Sequence, residues 1–547
     1  MPILQEIEAR VESENLYAVG YLSYEAAPAF DPALVVRPAD PVFPLLWFGL
    51  YAPPQDQPLP PADQLPKLEW APTVTRAQYN KAIRAIKSYI ARGHTYQVNY
   101  TYRQHARFQG EAFGLFTALA QAQPAAYAAY LDMGEYAICS VSPELFFTLQ
   151  GEHLTCRPMK GTARRGLTLT QDHEAAQALQ ASQKDRAENV MIVDMVRNDL
   201  GKIARTGSVC VPQLFTTERY PTLWQMTSTV MAESQASFSQ IIQALFPCAS
   251  ITGAPKPRTM QIIAELENTP RRVYTGSVGY LAPGRQACFN VAIRTVLVDR
   301  RLGVAEYGTG GGVVWDSTAR GEYDESLLKA KLLGKQPPVF SLLETLLWQP
   351  VEGYFLLERH IQRLRNSAEY FDYPLDSERI GQELDHYANF LPTTPQRVRL
   401  LVDRSGKQTL ERTPLDPGSV AQPVRLGIAA TPVDPADPFL YHKTTHRVRY
   451  NEALAACPGC DDVILWNTRG EITETTIGNL IVRLDGELLT PPVECGLLAG
   501  VMRADLLDRG IVRERAIRSE ELVNCEEIYV INSVRGWRKG FLYKVVW

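Results

Sequence analysis

The sequence predicts two globular domains, each mixing helices with strands, and three observations carry this. At 547 residues the chain exceeds what one hydrophobic core organises, and length alone favours about two to four domains. Helix-patterned and strand-patterned segments alternate on both sides of the middle. Between them, Gln336-Pro337-Pro338-Val339 stops a helical pattern and makes a short, stiff connector. The boundary is therefore expected at about 335–339, giving domains at 1–335 and 340–547.

Taken in order, residues 52–66 (APPQDQPLPPADQLP) read as a proline-dense surface loop. Over 79–92, Ile83, Ile86, Tyr89 and Ile90 have helical spacing, and Gly93 ends the run. The strand-like YQVNYTYRQHARF follows. Helix-patterned SLLKAKLLGK leads into the connector, after which the texture resets. Strand-like FSLLETLLWQ, a turn at Glu352-Gly353 and a helix holding His360, Arg363 and Leu364 open the second half. No internal repeat or coiled-coil heptad is evident.

Hydrophobic content of 45% and charged content of 21% are those of a soluble globular protein. A net charge of -4 gives no basic footprint for nucleic acid. The start, MPILQEIEARVESENL, has neither a basic n-region nor an apolar h-region, and no stretch is long enough to span a membrane. Nine cysteines are scattered, with one CxxC at Cys457 and Cys460 and no second pair at metal-ligand spacing, so no zinc site is expected. A reducing, cytoplasmic setting is the natural expectation.

Five segments of the first half occur in a telling order: Tyr96-Gln97-Val98-Asn99; Ser142-Pro143-Glu144-Leu145-Phe146; Pro158-Met159-Lys160-Gly161-Thr162; Glu188-Asn189-Val190-Met191 running on to Val196-Arg197-Asn198-Asp199; and Ser250-Ile251-Thr252-Gly253-Ala254-Pro255-Lys256. Gly310-Gly311-Gly312 with Glu322-Tyr323-Asp324-Glu325 closes the set. Together they resemble the chorismate-utilising enzymes, and most of all the aminodeoxychorismate synthases of the component I type. The resemblance implies an α+β domain of antiparallel sheets flanked by helices. It also implies a role for each residue. Lys160, where anthranilate synthases usually carry alanine, becomes the nucleophile that adds to C2 of the chorismate ring. Glu144 becomes the general acid for the departing C4 hydroxyl, its proton retained because like charges crowd it. Gln97 stands where isochorismate and salicylate synthases carry a water-activating lysine.

Asp185 and Glu188 are three apart in a helical pattern, as are Glu322 and Glu325, so each pair shares a helix face. Four carboxylates in one place call for a divalent cation, and Mg²⁺ takes oxygen ligands. Glu188 and Glu325 are the expected principal ligands, with Asp185 and Glu322 beside them. Arg294 and Tyr274 resemble the pair that holds the enolpyruvyl carboxylate. The Gly310–Gly312 run is expected to offer an anion nest, and Thr252 a hydroxyl. One departure stands out: Trp224-Gln225 replaces the histidine usual before the Met-Thr-Ser segment.

The second half carries Leu343-Glu344-Thr345, His360-Ile361-Gln362-Arg363-Leu364, His442-Lys443-Thr444-Thr445, Gly470-Glu471-Ile472-Thr473-Glu474 with Asn479, Gly500-Val501-Met502-Arg503, and Asn532-Ser533. These resemble the fold-type IV aminotransferase family, particularly its aminodeoxychorismate lyase branch, which implies a two-subdomain α/β unit and a pyridoxal phosphate site. Lys443 is the expected cofactor lysine, and Glu474 would face the pyridine nitrogen. Arg363, Thr476 and the Gly500-Val501 amides would hold the phosphate. Leu498 would pack on the ring, with Asn479 close by, while His360 is expected to pack structurally. Met502 stands where many relatives have threonine. The whole resembles a bifunctional enzyme making 4-aminobenzoate for folate from chorismate and ammonia, which implies a separate glutamine amidotransferase, with a homodimer through the second domain as a further expectation. An anthranilate-forming first domain, a transaminase second domain and a non-catalytic docking second domain stay open as alternatives.

Overall fold

The computed structural model describes residues 1–60, 68–123, 125–331, 338–415 and 422–544. The expected connector at 335–339 and the end of the proline-dense loop fall largely outside the described residues. The chain forms two compact units, Met1–Arg164 with Ala176–Pro337, and Arg165–Ala175 with Pro338–Trp547. No break in sequence texture announces that residues 165–175 join the second unit.

The first unit is built on two sheets whose strands all pair antiparallel. In the larger, Leu145–Gln150 lies between His153–Arg157 and Gln286–Val291, and Leu223–Glu233 pairs with both His153–Arg157 and Met159–Arg164. In the smaller, Gln97–Arg107 runs beside Val304–Val313 in unbroken register from Val98↔Val313 to Arg107↔Val304. The helix expected at 79–92 spans Arg76–Ala91, started by a capping box between Thr75 and Gln78 and ended before Gly93, whose φ is +73°. Such a cap is worth about 1 kcal/mol. The acidic pairs fall on helices as expected, on Gln183–Gly201 and on Ala319–Lys331. Leu4, Val11, Phe147, Ile192, Phe238, Ile241 and Phe289 pack the larger sheet's core. The segment Phe238–Leu245 reaches that core because its apolar residues keep helical period.

The second unit has a four-stranded antiparallel sheet containing Leu342–Gln349 and Gln396–Val402, where alternate residues of the second strand are buried. Helix Leu357–Phe371 turns Ile361, Leu364 and Ala368 onto that sheet's core. A larger mixed sheet holds Asp462–Trp466, Ile472–Thr475 and Asn479–Leu484, with Val424–Ile428 parallel to both its neighbours. The extra pairing Glu474↔Asn479 closes six of its strands into a ring around Leu426, Ile464, Ile472, Leu480 and Val530. Two expected site residues therefore sit at the seam of that ring. Among the described residues no helix is long and apolar enough to cross a membrane.

Candidate active sites

Lys160 lies on Met159–Arg164, the strand edge that faces helix Gln183–Gly201. Gly161 follows it with φ +92°, and a Cβ there would come 2.9 Å from the Asp185 Cβ, so the turn beside Lys160 needs glycine. Gln225 Nε2 donates to the Gly161 carbonyl at 2.8 Å. The residue standing in for the usual histidine thus braces the backbone that carries Lys160. A Cβ on Gly312 would lie 2.9 Å from Lys160 Nζ and 2.5 Å from Gln97 Nε2, which puts both side chains directly over that glycine. Gln97 is fully buried, and neither its Oε1 nor its Nε2 has a hydrogen-bond partner among the described residues. Burying an amide in that state costs about 1–3 kcal/mol, which a bound partner would recover.

Burial, reinforced by Lys329, pushes the Lys160 amine below the ordinary lysine range, against the pull of Glu188, Glu144 and Glu325. Glu144 is buried between two strands and accepts a hydrogen bond from Ser250 Oγ at 2.6 Å. Burial raises it to about 7, opposed by Ser250 and Lys160. The crowding by like charges expected from the sequence is therefore not the cause; exclusion from water is.

The four expected metal ligands have other partners. Ser182 Oγ caps Asp185 at 2.5 Å, and Ser317 Oγ donates to Glu322 at 2.7 Å. Lys184 lies 3.9 Å from Glu188, and Lys329 lies 2.8 Å from Glu325. Among the described residues no three His, Cys, Asp or Glu side chains come together as a ligand set. The donor chemistry still suits a hard cation. Burial raises both Glu188 and Glu322, a state that added positive charge would relieve, while Lys329 lowers Glu325.

Two expectations for substrate groups are corrected. Gly310–Gly312 is not a nest: it is strand, registered opposite Thr101, Tyr100 and Asn99. Its missing side chains make room instead, since a Cβ on Gly311 would come 3.1 Å from Glu322 and one on Gly308 would strike the Tyr274 ring. The Thr252 hydroxyl is spent on the Cys248 and Ala249 carbonyls. Tyr274 is buried under the Arg103 guanidinium, and both Tyr274 and Arg294 act electrostatically on Tyr307. Sequence reasoning missed Ser250, Lys184 and Lys329. The first lay inside a quoted motif, and each lysine lies four residues from the carboxylate it pairs with. Lys256, in that same motif, ties down Asp199 at 2.7 Å.

In the second unit, Leu343 N–H donates to the Lys443 carbonyl at 3.0 Å, holding the lysine's backbone against the four-stranded sheet. Burial first, then Arg363, lowers the Lys443 amine to about 8. Glu474 is buried, receives the Tyr450 hydroxyl at 2.8 Å, and is raised by burial to about 7. Asn479 donates to the Leu498 carbonyl at 2.8 Å and to Glu474 at 3.4 Å. Gly500, where a Cβ would fall 1.9 Å from Asn479 Oδ1, lets that side chain approach. Lys443, Glu474, Asn479, Leu498 and Gly500 are thus gathered, with Val501 opening helix Val501–Asp508.

The expected phosphate groups are otherwise engaged. Arg363 grips Glu344 with two nitrogens, at 2.9 and 2.7 Å, and reaches the Ala499 carbonyl with a third at 3.3 Å. Thr476 gives its hydroxyl to Asp462 at 2.5 Å. The amides that open helix Val501–Asp508 are the groups left to receive a phosphate. His360 packs with its Nδ1 2.6 Å from Glu344. Against burial, Arg363 and His360 hold the Glu344 carboxyl down at about 2. Cys457 and Cys460 are joined as a disulfide rather than free thiols.

Residues 3–335 match the chorismate binding enzyme family, and residues 341–540 match the amino-transferase class IV family, which implies pyridoxal phosphate. The chain is 40% identical over 270 residues to aminodeoxychorismate synthase component 1 of Escherichia coli (strain K12), covering 49% of this chain and 59% of that one. Against aminodeoxychorismate synthase component 1 of Bacillus subtilis (strain 168) it is 40% identical over 263 residues, 48% of this chain and 56% of the other. It therefore spans a little over half the length of these relatives. Anthranilate synthase component I from Streptococcus pneumoniae TIGR4 shares the fold, with a TM-score of 0.54 and 24% identity over 61% of this chain and 85% of that one. With residues 3–335 matched, more than half of its length, the chain belongs to the chorismate binding enzyme family.

Proposed function

We propose that the first unit aminates chorismate to 4-amino-4-deoxychorismate and that the second eliminates pyruvate from it to give 4-aminobenzoate. The observation that carries this reading is the pairing of an amine held below its ordinary pKa, Lys160, with a buried carboxyl raised to about 7, Glu144, in one site. The neutral Lys160 amine forms a C–N bond to ring C2 as the double bonds shift and the C4–O bond breaks. Glu144 delivers its proton to the departing hydroxyl, which leaves as water. Ammonia then bonds to C4 and yields a proton back to the Glu144 carboxylate, the double bonds return, and the C2–N bond breaks to release Lys160 as its neutral amine. Gln97, with no basic nitrogen, leaves water unactivated beside Lys160. Mg²⁺ held by Glu188 and Glu325, with Asp185 and Glu322 beside them, would supply Lewis acidity at the leaving oxygen. Lys184 and Lys329 would then give up those carboxylates.

In the second unit, pyridoxal phosphate supplies an electron sink when bound. Lys443 would hold it and would move the C4 proton of the substrate ring. Glu474, steadied by Tyr450 and Asn479, would face the pyridine nitrogen, and Leu498 would cover the ring. The opening amides of helix Val501–Asp508 would receive the phosphate, with Arg363 as a nearby charge already shared with Glu344. Ammonia comes from a separate glutamine amidotransferase, in keeping with relatives named as component 1. Product analysis from chorismate, ammonium and Mg²⁺, with and without added pyridoxal phosphate, tests the scheme. Aminodeoxychorismate without the cofactor and 4-aminobenzoate with it are expected. Anthranilate in either case would overturn it.

A further inference from the structure

Residues 165–175 follow the Lys160 strand in the chain but are packed as part of the second unit. The segment is a strap folded tightly on one buried carboxylate. Asp172 accepts from Arg165 Nε at 2.7 Å and from the Gly166 N–H at 2.9 Å. A Cβ on Gly166 would lie 2.2 Å from the Asp172 nitrogen, so only glycine permits this bend. The strap is fastened to helix Leu357–Phe371 twice. Arg165 donates to the Tyr370 carbonyl at 2.8 Å, and the Tyr370 hydroxyl donates to the Gly166 carbonyl at 2.8 Å. The Arg165 guanidinium also lies 4.5 Å over the Tyr370 ring.

Its next residue, Leu167, meets the residue that precedes Lys443. The Leu167 carbonyl lies 3.2 Å from His442 Nε2, and Ser367 Oγ lies 3.0 Å from His442 Nδ1. A carbonyl can only accept, so Nε2 carries the proton and Nδ1 accepts from the serine. The ring is buried and stacked on Tyr370, with centroids 4.3 Å apart. Burial keeps it neutral, its pKa falling to about 4 with Arg165 and Asp172 as its charged neighbours. The Leu167 side chain packs against the apolar cluster containing Leu440 and Tyr450, and Tyr450 is the donor to Glu474. On its other side the lysine segment is sewn to the sheet by Leu343 N–H to the Lys443 carbonyl and by Thr445 N–H to the Ser341 carbonyl.

We infer that residues 165–175 are a positioning element of the second site. By fixing His442 between the Leu167 carbonyl and Ser367, the strap sets where the Lys443 side chain starts and keeps its amine out of water. The second site is thereby completed by a segment that lies within the chorismate-binding half of the sequence. This inference rests on the reading of Lys443 as the cofactor lysine. Loosening His442 admits water to the amine, weakens the desolvation that lowers it, and returns it toward the ordinary lysine value. Arg363 and Glu344 from the four-stranded sheet and its helix, with Arg447 and Glu474 from the other side, stay in place.

The test uses the full-length protein without cofactor and follows acetylation of Lys443 against pH by peptide mass spectrometry. Wild type should show a midpoint near 8. His442→Phe keeps the stacked ring but loses both hydrogen bonds, and Tyr370→Phe removes the hydroxyl fastening to Gly166 without touching His442's own bonds. Each should raise the midpoint by about one pH unit, a tenfold loss of neutral amine near neutrality. His442→Gln, which can still donate to the Leu167 carbonyl, should restore most of the shift. Should His442→Phe fail to fold, Tyr370→Phe carries the comparison alone. An unmoved midpoint in a folded variant, even with a lowered thermal midpoint, would mean the strap only holds the fold and would overturn the inference. A cofactor absorbance band that survives Lys443→Ala would show separately that the underlying reading of Lys443 is wrong, and would overturn it too.

Discussion

The two sites use the same pair of groups in opposite electrostatic surroundings. Each sets a lysine with a depressed amine beside a buried carboxyl raised to about 7, and each carboxyl is held by one hydroxyl, Ser250 in the first unit and Tyr450 in the second. Around Lys160 the further neighbours are carboxylates, Asp185, Glu188, Glu322 and Glu325, answered by Lys184 and Lys329. Around Lys443 they are arginines, Arg363 and Arg447, answered by Glu344. Burial is the largest cause in both amines, helped by Lys329 in one and Arg363 in the other. On the proposed reading the surplus charge selects the guest: an acidic rim suits a cation, a basic rim an anionic cofactor group.

The largest expected effect comes from deleting either lysine. Lys160→Ala should lower aminodeoxychorismate formation by about a thousandfold or more, roughly 4 kcal/mol of barrier, while lyase activity on supplied aminodeoxychorismate persists. Retention of near-full rate with ammonia would remove the covalent role. Next, Glu188→Ala or Glu325→Ala should abolish Mg²⁺-dependent amination and leave the second step intact; loss of both steps together would count against independent sites.

A smaller, graded effect is expected from pH. Glu144 must be protonated to act, so with its pKa raised to about 7 the amination rate should fall as pH rises through that value. Glu144→Gln should flatten this limb and cost about a hundredfold or more. A limb unchanged in the variant would assign it to another group. Last, Glu344→Gln should destabilise the second unit by about 3 kcal/mol, read by denaturant unfolding, because Arg363 stays buried without its partner. Since the Glu344 carboxyl is held below its unfolded value, its contribution is present above about pH 4 and lost as pH falls toward about 2.

Local pattern made much of this legible. Helical spacing located the 76–91 helix and put Asp185 with Glu188, and Glu322 with Glu325, on helix faces. Motif order singled out Lys160, Glu144, Lys443 and Glu474 as candidates. What spacing cannot show is which distant group claims a side chain. Thr476 is spent on Asp462, fourteen residues away, and Arg363 on Glu344, nineteen away, so both looked available for a phosphate. The glycine run suggests an anion nest because strands seldom carry three glycines in a row; its long pairing with Gln97–Arg107 decides otherwise. The strap at 165–175 leaves no trace in periodicity, since its destination is set by contacts made more than two hundred residues later in the chain.

The central claim is that two lysines run two consecutive reactions on one chain. It is tested most directly by supplying purified Lys443→Ala with chorismate, ammonium, Mg²⁺ and pyridoxal phosphate and following products over time. The account predicts that aminodeoxychorismate accumulates at the wild-type rate of chorismate loss and that no 4-aminobenzoate forms. Formation of 4-aminobenzoate at the wild-type rate, free of contaminating lyase, would contradict it.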